Sequence, residues 1–119
     1  MATISSVLVP TTILSTNKIK WAPLANGDSG AAVDLNDYPT RSVQVLGTFG
    51  TGGSVTLQGS NDGGTTWATL TDQSGTNLTF TAAGIKSIQQ STEYIRPTVT
   101  AGDGTTALTV YVFLRGRDQ

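Results

Sequence analysis

Residues 60–67 read SNDGGTTW, and this stretch determines the fold more than any other segment of the chain. The Asp62 carboxylate can accept hydrogen bonds from the backbone amides that follow it, and Gly63 and Gly64 can adopt the positive φ angles of a tight reversal. The pattern therefore predicts a turn between two antiparallel strands in which Asp62 has a structural role. The residues that hold this turn are predicted to be Ser60, Asp62, Gly64, Thr66 and Trp67.

Strands are predicted on both sides of the turn from the alternation of apolar and polar residues. Ser54–Ser60 places Val55 and Leu57 inward, and Thr106–Arg115 places Leu108, Val110, Val112 and Leu114 inward. Pro97 cannot donate a hydrogen bond to a neighbouring strand, so its strand is expected at a sheet edge or with a bulge. The other predicted strands are Lys18–Leu24, Ala31–Leu35, Arg41–Phe49, Trp67–Thr71, Asn77–Thr81, Ile85–Gln89 and Glu93–Thr100.

Short strands, glycine-rich turns and a scarcity of helix-forming residues predict an all-β fold. The expected architecture is a two-sheet antiparallel β-sandwich, jelly-roll-like, formed by residues 16–119. Residues 1–15 are expected to form an extended N-terminal arm. Ala2–Thr12 is uncharged and β-prone, and three interpretations of it stay open: a disordered leader, a strand on the chain's own sheet, or an arm that reaches a neighbouring subunit.

The amino-acid composition argues against most kinds of catalytic and metal-binding site. The chain of 119 residues contains no cysteine and no histidine, which zinc sites, cysteine nucleophiles and Ser-His-Asp triads require. We therefore expect neither an enzyme nor a cofactor. Net charge is −1, the basic residues are scattered, and no apolar run is long enough to span a bilayer, so neither nucleic acid nor a membrane is an expected partner. Asp28, Asp34 and Asp37 leave calcium as an alternative, without the ligand spacing of an EF-hand.

Two local resemblances start from the same turn. Residues 60–67 resemble the Asp-box of sialidases, but those propellers repeat the motif in successive blades and this chain has one copy, so the resemblance covers the turn and not the activity. Together with EYIRPTVT at residues 93–100, the turn is also similar to the discoidin and coagulation-factor C-type jelly rolls, where an SNDG-x-x-W turn precedes a YIR strand. That resemblance implies a shared sandwich and binding of glycans or lipids through loops at one end.

A broader resemblance covers Arg41 to Arg115. The segments SVQVLGTF (42–49), LQGSNDGGTTW (57–67) and YIRPTVT (94–100) resemble the β-sandwich decoration or cement proteins of tailed bacteriophages. The resemblance implies a virion structural protein, made in the host cytoplasm, that stabilises the outer capsid surface by bridging capsid subunits. Its partners would be the major capsid protein and copies of itself. The residues expected at the interface are Ile4, Val7, Leu8, Val9 and Trp21, with a position in the core as the alternative for Val7 and Val9 and as the favoured one for Trp21.

The alternative function is a carbohydrate-binding module of a phage tail or fibre. Sugar sites stack an aromatic ring on the pyranose and surround it with polar side chains. Tyr94 and Arg96 share one outward face of their strand and are the candidate ligand face, with Tyr38, Asp62 and Trp67 as further candidates. Trp67 can also pack on its own hairpin, as buried aromatic residues usually do. A glycan partner belongs to this alternative only.

Overall fold

The structure, a computed structural model, describes residues 3–9, 16–34, 40–90 and 92–115. Within these ranges there is no helix, and hence none that is long and apolar enough to cross a membrane. The described residues form twelve strands: β1 (Thr3–Ile4), β2 (Ser6–Val9), β3 (Thr16–Leu24), β4 (Ser29–Gly30), β5 (Val33–Asp34), β6 (Thr40–Thr48), β7 (Ser54–Ser60), β8 (Ala68–Thr69), β9 (Thr79–Phe80), β10 (Gly84–Ser87), β11 (Tyr94–Ala101) and β12 (Ala107–Arg115).

The strands form two sheets that pack face to face, which confirms the predicted β-sandwich. One sheet has seven strands in the order β1-β4-β11-β7-β8, with β5 also paired to β11 and β9 to β7. The other has five strands in the order β10-β6-β12-β3-β2. All pairs are antiparallel except β1 with β4, which is parallel.

The core lies between the sheets and follows the predicted alternation. Strand β12 lies between β6 and β3, and its inward side chains, Leu108, Val110, Val112 and Leu114, are all buried. Val55 and Leu57 of β7 meet them from the opposite sheet. Full burial of such a side chain contributes about 1.5–3 kcal/mol, so these rows supply much of the stability of a chain without disulfides.

Trp21 of β3 is completely buried, with an exposed fraction of 0%. Its indole Nε1 donates a hydrogen bond to the carbonyl of Ala31, 3.0 Å away, just after β4. Because its polar atom is paired and its ring is enclosed, Trp21 links the two sheets from inside. The assignment of Trp21 to an interface is therefore corrected: its side chain is part of the core and not of the surface.

Pro97 lies on an internal strand and not at an edge. Strand β11 pairs with β7 on one side and with β4 and β5 on the other. Val99, two residues further on, donates from its backbone amide to Asp28 O at 2.8 Å, so the nitrogen of Pro97 faces the same side. The neighbouring strand is interrupted there, between Gly30 and Val33. Because no strand is paired on that side at this position, the lack of an amide hydrogen on Pro97 leaves no hydrogen bond of the sheet unmade. Strand β11 also carries a bulge, between Val99 and Ala101.

Residues 3–9 form strands on the chain's own sheets, which was one of the three open interpretations, and the rest of the predicted arm 1–15 lies outside the described residues. Thr3–Ile4 pairs with Ser29–Gly30 in the seven-stranded sheet, and Ser6–Val9 pairs with the stretch of β3 from residue 18 to residue 21 in the five-stranded sheet. The chain thus crosses from one sheet to the other at Ser5. Ile4 packs against the core from a half-buried position.

Candidate functional site

The SNDGGTTW turn is held by a network centred on one carboxylate oxygen. Oδ1 of Asp62 accepts hydrogen bonds from the Ser60 hydroxyl (2.7 Å) and from the backbone amides of Thr65 (3.1 Å) and Thr66 (2.9 Å). The amide of Gly64 donates to Ser60 Oγ at 3.1 Å. Hydrogen bonds to the ionised carboxylate lower the pKa of Asp62 to about 2, and the largest contribution comes from the bond donated by the Thr66 amide. The carboxylate is therefore ionised at neutral pH, and its Oδ1 holds the loop together.

The turn is also fastened to the start of β11. Gly63 donates from its backbone amide to the Glu93 carboxylate (3.1 Å), and the Glu93 amide donates to the side-chain carbonyl of Asn61 (2.8 Å). This reciprocal pair brings together the two segments that carry the discoidin-like resemblance. The loop therefore has a fixed position relative to the sheet.

Trp67 lies on the outward side of the seven-stranded sheet and is half-buried. Its Nε1 donates to Gly64 O at 3.0 Å, and the Arg96 guanidinium carbon lies 4.3 Å from the centroid of its ring. Arg96 Nε in turn donates to Gln58 Oε1 at 2.9 Å. Stacking of this kind contributes about 0.5–1 kcal/mol at exposed sites. One face of the indole is thus already covered by a side chain of the same protein.

The carbohydrate candidates are only partly brought together. Tyr94 and Arg96 are half-buried neighbours on one face of β11, as alternation requires. A shallow cleft of about 400 Å³ lies next to Trp67, and neither Tyr94 nor Arg96 lines it. Its polar and aromatic lining includes Asn61, Asp62, Thr66, Trp67 and Gln90. Tyr38 lies outside the described residues.

Two further loops use an aspartate in the same way as the SNDGGTTW turn. Asp103 accepts hydrogen bonds from the Thr105 hydroxyl (2.6 Å) and amide (2.8 Å) and from the Thr51 amide (2.8 Å), and these bonds lower its pKa. Asp72 accepts from the Ser74 hydroxyl (2.8 Å) and amide (2.9 Å), which also lowers its pKa. These carboxylates hold loops together.

Two of the three residues considered for calcium, Asp28 and Asp34, lie within the described residues. Within residues 3–9, 16–34, 40–90 and 92–115 there is no group of three or more histidine, cysteine, aspartate or glutamate side chains placed to hold a metal ion. Asp28 is buried, and its Oδ2 accepts a hydrogen bond from the Ala25 amide at 2.9 Å. Asp37 lies outside the described residues.

A surface that the sequence reasoning did not single out lies on the outward side of the five-stranded sheet. We call it the Tyr111 face. In the described part of the chain, all three exposed large hydrophobic side chains lie on it: Ile85 (66% exposed), Phe113 (41%) and Leu46 (36%). A shallow concavity of about 370 Å³ lies among its side chains. The Tyr111 face is defined by Lys18, Lys20, Ser42, Gln44, Leu46, Ile85, Tyr111 and Phe113.

Two lysines of β3 give the Tyr111 face its charge. Lys20 lies opposite Tyr111 in the β3–β12 register, and Lys18 lies opposite Phe113. Their ammonium nitrogens are 5.9 and 6.0 Å from the centroid of the Tyr111 ring. None of the described aspartates or glutamates lies on this face. The face therefore combines exposed apolar side chains with positive charge.

The remaining interface candidates belong to the N-terminal strands. Ile4 is half-buried against the core. Val7, Leu8 and Val9 pair through their backbones with Lys20, Ile19 and Lys18, which places β2 at the edge of the five-stranded sheet, next to the Tyr111 face. The side chains of residues 7–9 lie outside what the structure describes.

Comparison with known proteins reveals a shared fold. No family model matches the chain, and no curated protein matches it. Among solved structures, the chain is similar to the crystal structure of the SPBc2 prophage-derived protein YomS, with a TM-score of 0.62 and 10% sequence identity. The alignment covers 88% of this chain and 98% of that one. The two proteins thus share the fold over nearly their whole lengths.

Proposed function

We propose that this chain is a phage virion structural protein that decorates the capsid and stabilises it by bridging capsid subunits. The observation that carries the proposal is the Tyr111 face, where exposed hydrophobic side chains are concentrated on one side of the sandwich. Contiguous apolar surface on a small domain usually marks a binding site for another protein. The resemblance to phage decoration proteins and the fold shared with a prophage-derived protein support a phage setting for that partner.

The dimensions of the five-stranded sheet suit a protein interface. Strands β6 and β12 each have nine residues, which at about 3.3 Å per residue extend about 30 Å. Strand β3 also has nine residues but β2 and β10 have four each, so at about 4.8 Å per strand the face covers about 550 Å². A standard interface buries about 800 Å² on each partner. Repetition over a symmetric shell would make even weak single contacts effective.

The proposed work is binding without a chemical step. Stabilisation of a shell needs a rigid body that spans two subunits, and the loops of this protein are made rigid by their own aspartates. Asp62, Asp72 and Asp103 each accept several hydrogen bonds from within their loops. These three carboxylates therefore have a structural role in their loops.

Capsid binding by surface variants tests this proposal. Purified protein would be mixed with empty capsids of the phage that encodes it, and occupancy would be measured by co-sedimentation and by cryo-electron microscopy. The double variant Ile85→Ser/Phe113→Ser should bind about tenfold more weakly or worse, since both side chains would lie at the centre of the contact. Thr100→Ala, an exposed residue of the other sheet, is the matched control.

Two results would overturn the proposal. One is the absence of wild-type protein from the shell, and the other is equal occupancy by the wild type and the double variant. Deletion of Ala2–Pro10 is a poorer test of docking, because it removes β1 and β2 from the two sheets and so alters the fold itself.

Carbohydrate binding is the second candidate, supported by the cleft of about 400 Å³ beside Trp67. Asn61, Thr66 and Gln90 line it with groups that can bond to sugar hydroxyls. A glycan array is the test: a dose-dependent signal that Trp67→Ala abolishes and Tyr94→Ala leaves unchanged would assign a sugar site to the cleft. An array without binders would remove this candidate.

A further inference from the structure

The charge of the Tyr111 face limits what can bind to it. Lys18 and Lys20 hold two positive charges about 6 Å from one aromatic ring, without an acidic side chain among the described residues of the face to balance them. Arg115, which follows Tyr111 and Phe113 on the same side of β12, adds a third charge at its end. The described acidic residues lie in loops or on the other sheet, so within the described residues positive charge is concentrated on this face.

A second copy of this chain is a poor occupant. Two copies that met through their Tyr111 faces would bring four lysines into one contact, and like charges placed together across an interface cost several kcal/mol. The side chains on this face provide no carboxylate to offset that repulsion. The face therefore suits a partner of opposite charge and not itself.

Nucleic acid is also a poor occupant. A phosphate-tracking surface needs several cations in a row, whereas this face has two lysines, with Arg115 at its margin. Ile85 and Leu46, two of its most exposed groups, are aliphatic and cannot stack on bases as aromatic rings do. Exposed apolar side chains grouped on one face are instead typical of a protein-binding surface.

We propose that the Tyr111 face docks on an acidic, partly apolar protein surface. A carboxylate of the partner would lie near the ammonium groups of Lys18 and Lys20, and apolar side chains of the partner would cover Phe113 and Ile85. This inference rests on the proposed function, because it specifies the chemistry of the capsid surface that the same face would contact.

A polymer probe tests the chemistry without a capsid. The isotope-labelled full chain would be titrated with a random copolymer of glutamate and tyrosine, and with a copolymer of lysine and tyrosine as the control. The acidic copolymer should shift amide signals of β3, β6, β10 and β12, and the basic one should not. The Lys18→Gln/Lys20→Gln variant should bind about tenfold more weakly, and raising the salt to about 0.5 M should weaken binding too.

Lys86→Gln is the matched control for this variant. Lys86 lies on β10 at 3.9 Å from Asp72, and its place opposite Val43 puts it on the inward side of the sheet and off the Tyr111 face. Its loss should leave binding of the acidic copolymer unchanged. The absence of shifts on the face, or equal shifts with the basic copolymer, would overturn the inference. Tighter binding of an oligothymidine at the same amides, or a face-to-face dimer detected by light scattering, would also overturn it.

Capsid binding then separates this inference from the proposed function. If Lys18→Glu/Lys20→Glu binds capsids as well as the wild type, the acidic partner is wrong while decoration stands. If the wild type binds the acidic copolymer through this face but not the capsid, decoration is wrong and the acidic partner stands. Loss of capsid binding by Lys18→Glu/Lys20→Glu, with binding retained by Lys86→Glu, would support both.

Discussion

The outward faces of the two sheets differ in how many hydrogen bonds and stacking contacts their side chains make with one another. On the seven-stranded sheet, Gln58 Oε1 accepts hydrogen bonds from Arg96 (2.9 Å) and Thr98 (3.1 Å), and Trp67 lies against the Arg96 guanidinium. On the Tyr111 face, no described side chain makes a hydrogen bond with another member of the face, and Ile85 is 66% exposed. The outward side chains of the seven-stranded sheet thus contact one another, whereas the Tyr111 face leaves its apolar side chains exposed.

The comparison also shows why alternation alone does not locate a binding surface. The alternation of side chains along the strands predicts both faces as outward, and both contain aromatic and cationic side chains. The difference lies in contacts between strands that are distant in sequence, such as Arg96 with Gln58 and Lys20 with Tyr111. A variant at either face should therefore show whether its side chains serve the fold or a partner.

The largest expected difference in the free energy of unfolding is between a variant of a side chain buried between the sheets and a variant on the Tyr111 face. Trp21→Ala should lower the free energy of unfolding by about 3–5 kcal/mol, because a completely buried indole and its hydrogen bond to Ala31 are lost. Phe113→Ala, at 41% exposure, should change it by less than about 1 kcal/mol. Urea unfolding followed by circular dichroism measures both. A large loss for Phe113→Ala would mean that the Tyr111 face serves the fold.

Gly30→Ala should have the next largest effect. A Cβ atom at Gly30 would lie 2.6 Å from Cδ of Pro97 and 2.7 Å from Cδ1 of Trp21, both rigid rings. Overpacking of this kind costs about 1–3 kcal/mol in the free energy of unfolding. Gly104→Ala, where no atom lies within 4 Å of the new Cβ, is the control and should be near neutral. Equal stability of the two variants in thermal unfolding would contradict the close packing at the β4–β11 contact.

A smaller effect distinguishes the cations of the two faces. Arg96→Met removes the stacking on Trp67 and the hydrogen bond to Gln58, and should cost about 1 kcal/mol of unfolding free energy. Lys20→Met should cost less than about 0.5 kcal/mol, since it removes only an exposed cation–ring contact. Chemical unfolding gives both values, and the emission of Trp67 should shift in the Arg96 variant alone. Equal losses of unfolding free energy in the two variants would contradict the proposed difference between the two faces.

The smallest effect expected at neutral pH is that of Asp62→Asn, whose amide oxygen can still accept backbone hydrogen bonds. The folded pKa of Asp62 is about 2, below its unfolded value of about 3.9. The carboxylate therefore contributes stability that is present above about pH 4 and is lost as the pH falls towards 2. The wild type should be the more stable protein at pH 7, and the difference should vanish near pH 2. Thermal unfolding across this range checks the prediction, and a constant difference would refute it.

Much of the fold was predictable because its signals are local. The alternation in β7 and β12 identified their inward residues, and the glycines and aspartate of residues 60–67 identified the turn. For the strand of Pro97 the sequence predicted an edge or a bulge, and β11 carries a bulge but is internal. The gap opposite Pro97, between Gly30 and Val33, was not predictable because it lies on a segment distant in sequence. The position of Trp21 in the core was left open because a lone aromatic on a strand carries no sign of which face is covered.

The candidate site was less predictable than the fold. Alternation placed Tyr111 and Phe113 outward, but only the register of β12 with β3 puts Lys18 and Lys20 beside them. Ile85 joins the face through the pairing of β10 with β6. The Tyr111 face is assembled from four strands through pairings that are not encoded locally, which is why the sequence pointed to β11 and the N-terminal segment instead.

The crossing of the N-terminal segment between the sheets bears on how this protein avoids aggregation. Thr3–Ile4 covers the edge of β4, and Ser6–Val9 covers the edge of β3. Loss of this whole segment would uncover strand edges on both sheets at once. Exposed edges recruit strands from other chains. The same few residues that complete the sandwich therefore guard it against polymerisation.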